Sequence, residues 1–339
     1  MAGLGIRDQV HNQLEDLEGT MEWGSGRIDC DNVILCGMGG SAISGIVAAD
    51  CFMEASSVPI KVVKGFTIPP WAGPRTVAVV SSYSGNTRET LSMYEAAFRQ
   101  GCSIIAITSG GTLGRWAERD GFPVGKVPAG IQPRQSLGYT IGYISSILRM
   151  CGCGDIGGDV RRSLPGLREY RAVLESPDGP AGRIAEALKA SVPVFVSSGP
   201  MQAVAFRWKT QFNENSKKVA FCATEEELCG CMRSRPEGSY SIVHIGDDPG
   251  VRKRVCGFAE SIGAGFVDVP AGGSCVFESM FRMILLGDYA SIGVAESLGL
   301  EPEPVIPIRD LKGKLASIIP PGGEERRWAA EAGSPNLCR

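Results

Sequence analysis

Histidine is nearly missing from this chain: its 339 residues include only His11 and His244. His11 falls in a polar N-terminal segment and His244 inside an apolar run, places that fit a surface and a core residue better than a proton shuttle. Neither lies close to the tight pairs Cys151-x-Cys153 and Cys229-x-Cys231, whose one-residue spacing is not that of common zinc sites, so free thiols are expected there. An excess of charge of one sign is lacking too: 34 Lys and Arg stand against 37 Asp and Glu, a formal charge of −3. Without a concentrated basic face a nucleic-acid partner is not expected, and the short runs Arg161-Arg162 and Arg252-Lys253-Arg254 read as solvated helix faces. No apolar run reaches the length of a membrane span, even between Val276 and Leu300, and the first residues lack the apolar core of a secretory signal. The twelve cysteines are scattered through apolar segments rather than spaced as a disulfide framework, which points to a reducing cytoplasm.

What is present is the composition of a soluble globular protein, 43% hydrophobic and 21% charged, with a length that predicts two domains. The organising stretch is Val77-Ala-Val-Val-Ser-Ser-Tyr-Ser-Gly-Asn-Thr-Arg-Glu-Thr90. It reads as a buried strand, a polar turn through Ser82, Ser84 and Gly85, and a helix capped near Asn86 or Thr87 that carries Leu91, Met93, Tyr94 and Phe98. Hydroxyls of Ser82, Ser84 and Thr87, turn N–H groups and the positive end of a helix dipole converge there, so a phosphate can sit without a metal. The same residue types also serve an ordinary strand-to-helix turn.

Ahead of it, Asn32 to Cys36 predicts a strand, and Gly37-Met-Gly-Gly-Ser-Ala42 a glycine-rich turn into a helix. The pattern loosely resembles a dinucleotide fingerprint, but the next strand ends at Val63-Lys64 with no ribose-binding acid, and Ala42 or Ile43 replaces the third glycine. NAD is therefore disfavoured. Gly39, Gly40 and Ser41 are instead expected beside the Ser82–Thr87 turn, at neighbouring carboxyl ends of parallel strands. Arg134, in Gln132-Pro-Arg134, is the candidate cation for a phosphate or for charge developing on a sugar oxygen, a surface ion pair being the alternative. Strands alternating with helices predict an α/β fold whose parallel sheets are covered on both faces, doubly wound and flavodoxin-like. The expected division is an N-terminal helical arm over 1–29, a first domain over 30–152, a helical connection over 153–190, a second domain over 191–320 and a polar tail over 321–339. The second domain repeats the strand, polar turn and helix layout from Val192 through Gly199 to Phe212, as an internal duplication would.

Gly37-Met-Gly-Gly-Ser41, Ser82-Tyr-Ser-Gly-Asn-Thr87, Gln132-Pro-Arg134, Asn213-Glu-Asn215 with Lys217, Ala220-Phe221, and the run from Glu301 to Lys312 occur in this order over about residues 30–315. In that order they resemble the bifunctional phosphoglucose/phosphomannose isomerases, a branch of the sugar isomerase (SIS) superfamily. The resemblance implies two SIS domains, each a parallel sheet flanked by helices, in a homodimer that uses no metal or organic cofactor. It implies a sugar phosphate as substrate, held on Gly40, Ser41, Ser82, Ser84 and Thr87, with Arg134 stabilising an enediol(ate), Glu214 moving a proton between C1 and C2, and Lys312 completing the site. Those roles suit the chemistry: an aldose–ketose conversion removes a weakly acidic proton next to a carbonyl, so a carboxylate must work beside a cation.

The chain departs from the family at one place. Where the family carries a histidine that assists ring opening, in a Glu-Leu-Asn-His-Asn-Glu motif, alignment on Glu227-Leu228 puts Gly230. Hexose 6-phosphate isomerisation, impaired or not, is the leading expectation, and a non-catalytic or altered-specificity phosphosugar-binding protein the alternative.

Overall fold

The stretch from Val77 to Ser81 does become a strand buried at every position, because strands pair with it on both edges and helices cover both faces. The computed structural model describes residues 4–303 apart from 55, 177 and 232–238. Two short helices, α1 (Ile6–His11) and α2 (Gln13–Thr20), precede the first sheet. Then come β1 (Asn32–Gly37), α3 (Gly39–Phe52), β2 (Ile60–Val63), β3 (Thr76–Ser81), α4 (Arg88–Arg99), β4 (Ser103–Thr108), α5 (Gly111–Arg119) and β5 (Val124–Lys126). A 3₁₀ turn at Pro133–Gln135 leads into α6 (Leu137–Met150), and α7 (Gly157–Glu175) and α8 (Pro180–Leu188) follow. The second half consists of β6 (Val192–Val196), α9 (Met201–Asn215), β7 (Phe221–Ala223), α10 (Glu225–Cys231), β8 (Tyr240–Ile245), α11 (Pro249–Ile262), β9 (Gly265–Val269) and α12 (Val276–Ser297).

Among the described residues the strands form two parallel sheets, ordered β2-β1-β3-β4-β5 and β7-β6-β8-β9. The second order repeats that of the first four strands of the first sheet, so the repeat in the sequence is also a repeat of topology. In each sheet the chain reverses its winding direction beside the first strand, between β1 and β3 and between β6 and β8, which opens a crevice at the carboxyl ends of the strands. In the first sheet Gly37 and Ser81 stand in register, so the two polar turns leave the sheet side by side at the same level.

Both sheets lie in one compact unit, Met1–Pro302; of the second unit, Glu303–Arg339, only Glu303 is described. Within the first unit α12 runs through the core. It is apolar around most of its circumference, which a helix can sustain only when other elements enclose it, and α7, α8 and α9 do so. The N-terminal helices are packed parts of the same core: Val10, Leu14 and Leu17 are fully buried, each contributing about 1.5–3 kcal/mol of apolar burial. A β-carbon at Gly142 would stand 2.0 Å from the Thr20 hydroxyl, so glycine is what lets α2 and α6 approach so closely. His11 pairs with Glu175 at 2.6 Å near the surface, and buried His244 pairs with Asp268 at 2.9 Å across β8 and β9.

Candidate active site

The two turns at the crevice of the first sheet are built differently. After β1, Met38 is extended and Gly39 has φ +50°, and the helix starts at once, so Gly40 and Ser41 fall in the first turn of α3. The Ser41 N–H donates to the carbonyl of the N-cap residue Met38 at 3.1 Å, and the helix dipole adds positive potential at this end. After β3 the chain makes a longer loop. Ser82 is buried, its amide donating to the Ile107 carbonyl at 3.0 Å and its hydroxyl to Thr87 Oγ1 at 3.1 Å. Thr87 is the N-cap residue of α4, and exposed Ser84 accepts from the Asn86 amide at 3.3 Å. Gly40, Ser41, Ser82, Ser84 and Thr87 thus lie on the two turns that open at one level.

A third loop braces the second. Thr112 N–H donates to Asn86 Oδ1 at 3.0 Å, Leu113 N–H to the Gly85 carbonyl at 2.9 Å, and Ser109 N–H and Oγ to the Tyr83 carbonyl at 2.9 and 2.6 Å. The contact is so close that a β-carbon on Gly85, whose φ is +65°, would stand 1.9 Å from the Gly110 carbonyl oxygen. Tyr83 carries the brace onward: its hydroxyl donates to the Pro128 carbonyl at 3.2 Å and accepts from Ile131 N–H at 3.1 Å, tying the loop to the segment that leads to Arg134. The Ser109-Gly110-Gly111 turn was the available signal, since paired glycines at a strand end mark a close backbone approach.

Arg134 sits in the 3₁₀ turn, which packs on the start of α3; a β-carbon on Gly40 would lie 3.6 Å from Arg134 Cα. Its side chain is buried and its Nη1 stands 3.6 Å from Glu214 Oε2, while the Glu214 side chain keeps 33% of its surface open. The two residues proposed as cation and base, 80 positions apart in the chain, are therefore neighbours. Arg134 also donates through Nε to Asn215 Oδ1 at 2.7 Å, through Nη1 to Gln132 Oε1 at 3.1 Å and through Nη2 to the Pro302 carbonyl at 2.9 Å. Lys217 adds a second positive charge: its ammonium donates to the carbonyls of Glu214 at 2.5 Å and Pro302 at 3.1 Å. Burial, together with nearby Arg134, lowers its pKa. Among the described residues it is the one non-glycine with positive φ, +58°, a conformation that costs about 1–2 kcal/mol and is found disproportionately at functional sites.

Behind Arg134 lies a buried polar network. Arg207 donates to Asp288 through Nε at 3.0 Å and Nη2 at 2.6 Å, and Gln211 and Gln13 each donate to the same carboxylate at 2.8 Å. Arg207 Nη2 also reaches the Arg134 carbonyl at 3.2 Å, and Gln13 donates to Gln135 Oε1 at 2.6 Å. The network joins α2, α9 and α12 to the Arg134 turn.

Gly230 lies exposed on α10, with no atom of the described residues within 4 Å of where a β-carbon would go. Lys312 and the side chains of Cys229 and Cys231 lie outside the described residues. Cys151 and Cys153 are buried free thiols whose pKa values burial pushes up.

The comparisons with known proteins now bear on this arrangement. Residues 177–315 match the family model of the bacterial phospho-glucose isomerase C-terminal SIS domain. A bifunctional phosphoglucose/phosphomannose isomerase from Caldicellulosiruptor bescii is 32% identical over 337 residues, spanning 92% of this chain and 99% of the relative. The chain belongs to the bifunctional phosphoglucose/phosphomannose isomerase family. Another protein of that name, from Thermoplasma volcanium, is 32% identical over 292 residues, covering 84% of this chain and 92% of its own. In fold the chain is similar to the C-terminal domain of glucosamine-fructose-6-phosphate aminotransferase from Francisella tularensis, with a TM-score of 0.69 and 14% identity over 89% of this chain and 99% of that one. The architecture of this family member is therefore SIS-like, two parallel sheets flanked by helices, as the resemblance implied. No helix among its described residues is long and apolar enough to cross a membrane.

Proposed function

We propose that this chain interconverts fructose 6-phosphate with glucose 6-phosphate or mannose 6-phosphate through an enediol(ate). The observation that carries the reading is the pairing of buried Arg134 with solvent-reachable Glu214 at 3.6 Å, on a turn packed against Gly40 of the anion crevice. The phosphate binds between the first turn of α3 and the Ser82–Thr87 loop, where hydroxyls and helix N-termini favour an anion. With the open-chain aldose so anchored, Glu214 removes the proton from C2 as the C1 carbonyl electrons move onto O1. Arg134 stabilises the oxyanion, an interaction that strengthens as charge develops. Glu214 then returns the proton to C1, and the hydroxyl proton passes from O2 to O1, leaving the ketose. Lys217 adds positive potential beside the same carboxylate, and Lys312 is assigned to complete the site.

Gly230 favours a second reading, a protein that binds the phosphosugar without turning it over, since a glycine cannot assist ring opening. Incubation with fructose 6-phosphate, followed by NMR, is expected to yield glucose and mannose 6-phosphates; calorimetric binding without turnover would instead support the second reading. Gly230→His is expected to raise kcat, by up to the roughly 10²–10⁴-fold that positioned acid–base groups supply.

The reading also takes the enzyme as a cytoplasmic homodimer. Light scattering of the purified chain is expected to return twice its mass, and a monomer mass with full activity would remove the dimer from the mechanism.

A further inference from the structure

The side chain of Arg134 is held at Nε by an amide, and an amide can be presented either way round. The Arg134 Nε–H can only donate and so calls for the amide oxygen, and the other end of Asn215 is secured by a residue that makes no hydrogen bond described above to Arg134 or to the crevice turns. Ser291, on α12, donates its hydroxyl to the Asp288 carbonyl at 2.8 Å. A serine hydroxyl has one proton, and a carbonyl can only accept, so that proton is committed and Ser291 Oγ turns its lone pairs toward its other neighbour. That neighbour is Asn215 Nδ2, which donates to it at 2.9 Å. With the NH₂ group so occupied, Asn215 must turn its oxygen to Arg134 Nε, and it does, at 2.7 Å.

Asn215 and Ser291 are fully buried and Arg134 nearly so, so none of them has bulk water as a ready substitute partner. The inverted amide would set its NH₂ against the Arg134 Nε–H, donor on donor, and leave a buried group without its bond, at a cost of about 1–3 kcal/mol. We propose that Ser291 is a positioning residue for the isomerisation, acting through Asn215 to fix the plane of the Arg134 guanidinium. The proposal rests on the reading of Arg134 as the cation that stabilises the enediol(ate). An amide suits this task because it holds the guanidinium without adding a negative charge of its own to the one Arg134 must stabilise in the transition state. A carboxylate at 215 would need no orienting hydroxyl, since both its oxygens accept, but it would bring that charge.

The test is a set of single and double variants assayed with fructose 6-phosphate. Ser291→Ala removes only a hydroxyl, and alanine is the better helix former, so the fold is expected to persist. Its kcat is expected to fall about 10–100-fold, the scale of a small misplacement of a catalytic group, with KM changed less than about twofold. In an Arg134→Lys background, which has no Nε–H fixed in a guanidinium plane, Ser291→Ala is expected to change kcat little further; in an Asn215→Asp background it is likewise expected to add little. Wild-type kcat in Ser291→Ala, or the same loss whether residue 134 is Arg or Lys, would overturn the relay, the latter meaning that the hydroxyl serves only packing. The double-mutant coupling separates these cases because a purely structural role would add rather than couple. If instead Arg134→Lys retains wild-type kcat, the reading of Arg134 itself fails, a result distinguishable from a crippled Arg134→Lys beside an unaffected Ser291→Ala.

Discussion

Glu214→Gln is expected to lower kcat by about 10²–10⁴-fold while KM for fructose 6-phosphate changes by less than about fivefold. The substitution keeps the shape of the side chain and its place beside Arg134 at 3.6 Å, but a carboxamide cannot take a proton from carbon. In the proposed mechanism the crevice turns hold the other end of the substrate, so binding is expected to survive. That split separates a base from a residue that merely contributes to affinity. A second readout follows from the same chemistry: in D₂O the wild-type enzyme is expected to exchange the C2 proton of glucose 6-phosphate for deuterium during turnover, and Glu214→Gln to lose exchange and isomerisation in parallel. Turnover left unchanged in Glu214→Gln would remove the residue from the reaction. Exchange that persisted while isomerisation stopped would assign proton removal to another group and leave Glu214 a later role.

The parts of this site that could be read from the sequence are those governed by local rules. A β-branched strand running into Ser82-Tyr-Ser-Gly-Asn-Thr87 carries its own turn chemistry, and Gly37-Met-Gly-Gly-Ser41 announces a backbone that a ligand can approach, so both halves of the crevice were visible before any coordinates. Arg134 was a candidate cation from its own segment and Glu214 a candidate base through the order of motifs, although the residues alone gave no reason to pair them across 80 positions. Elements of three residues, β5 and β7, were missed because so short a run has no measurable period. The brace from Ser109 to Thr112 and the bridging hydroxyl of Tyr83 were missed for a different reason: their partners are distant in the chain, and nothing in a serine or a tyrosine names the carbonyl it will meet. Lys217 was noticed only as part of a motif, because a positive φ at a lysine is a property of the folded backbone. Asp288 is the clearest case. An aspartate within the apolar run of α12 names no partner in the sequence, and its role is legible only in the fold, where Arg207, Gln211 and Gln13 converge on it.

That convergence sets the second large expectation, that Asp288→Ala destabilises the protein by about 3–5 kcal/mol, read as a lower urea midpoint. The carboxylate and the Arg207 guanidinium are each about 1% exposed. Removing the carboxylate leaves a cation enclosed in a core that offers it no counter-charge at that position, and strands the amide donors of Gln211 and Gln13 as well. The loss is thus dominated by what remains buried rather than by the bond that is broken. If that account is right, Arg207→Met combined with Asp288→Leu is expected to recover much of the stability lost in Asp288→Ala, since the paired substitution removes both charges together. It is not expected to recover full activity: Arg207 Nη2 holds the Arg134 carbonyl at 3.2 Å, and Gln13 holds Gln135 beside it. A stable double variant with wild-type kcat would show that the network serves the core alone. A stable double variant with depressed kcat would mean that the buried charges are retained for the placement of Arg134, at some cost in the stability that an apolar core would have given.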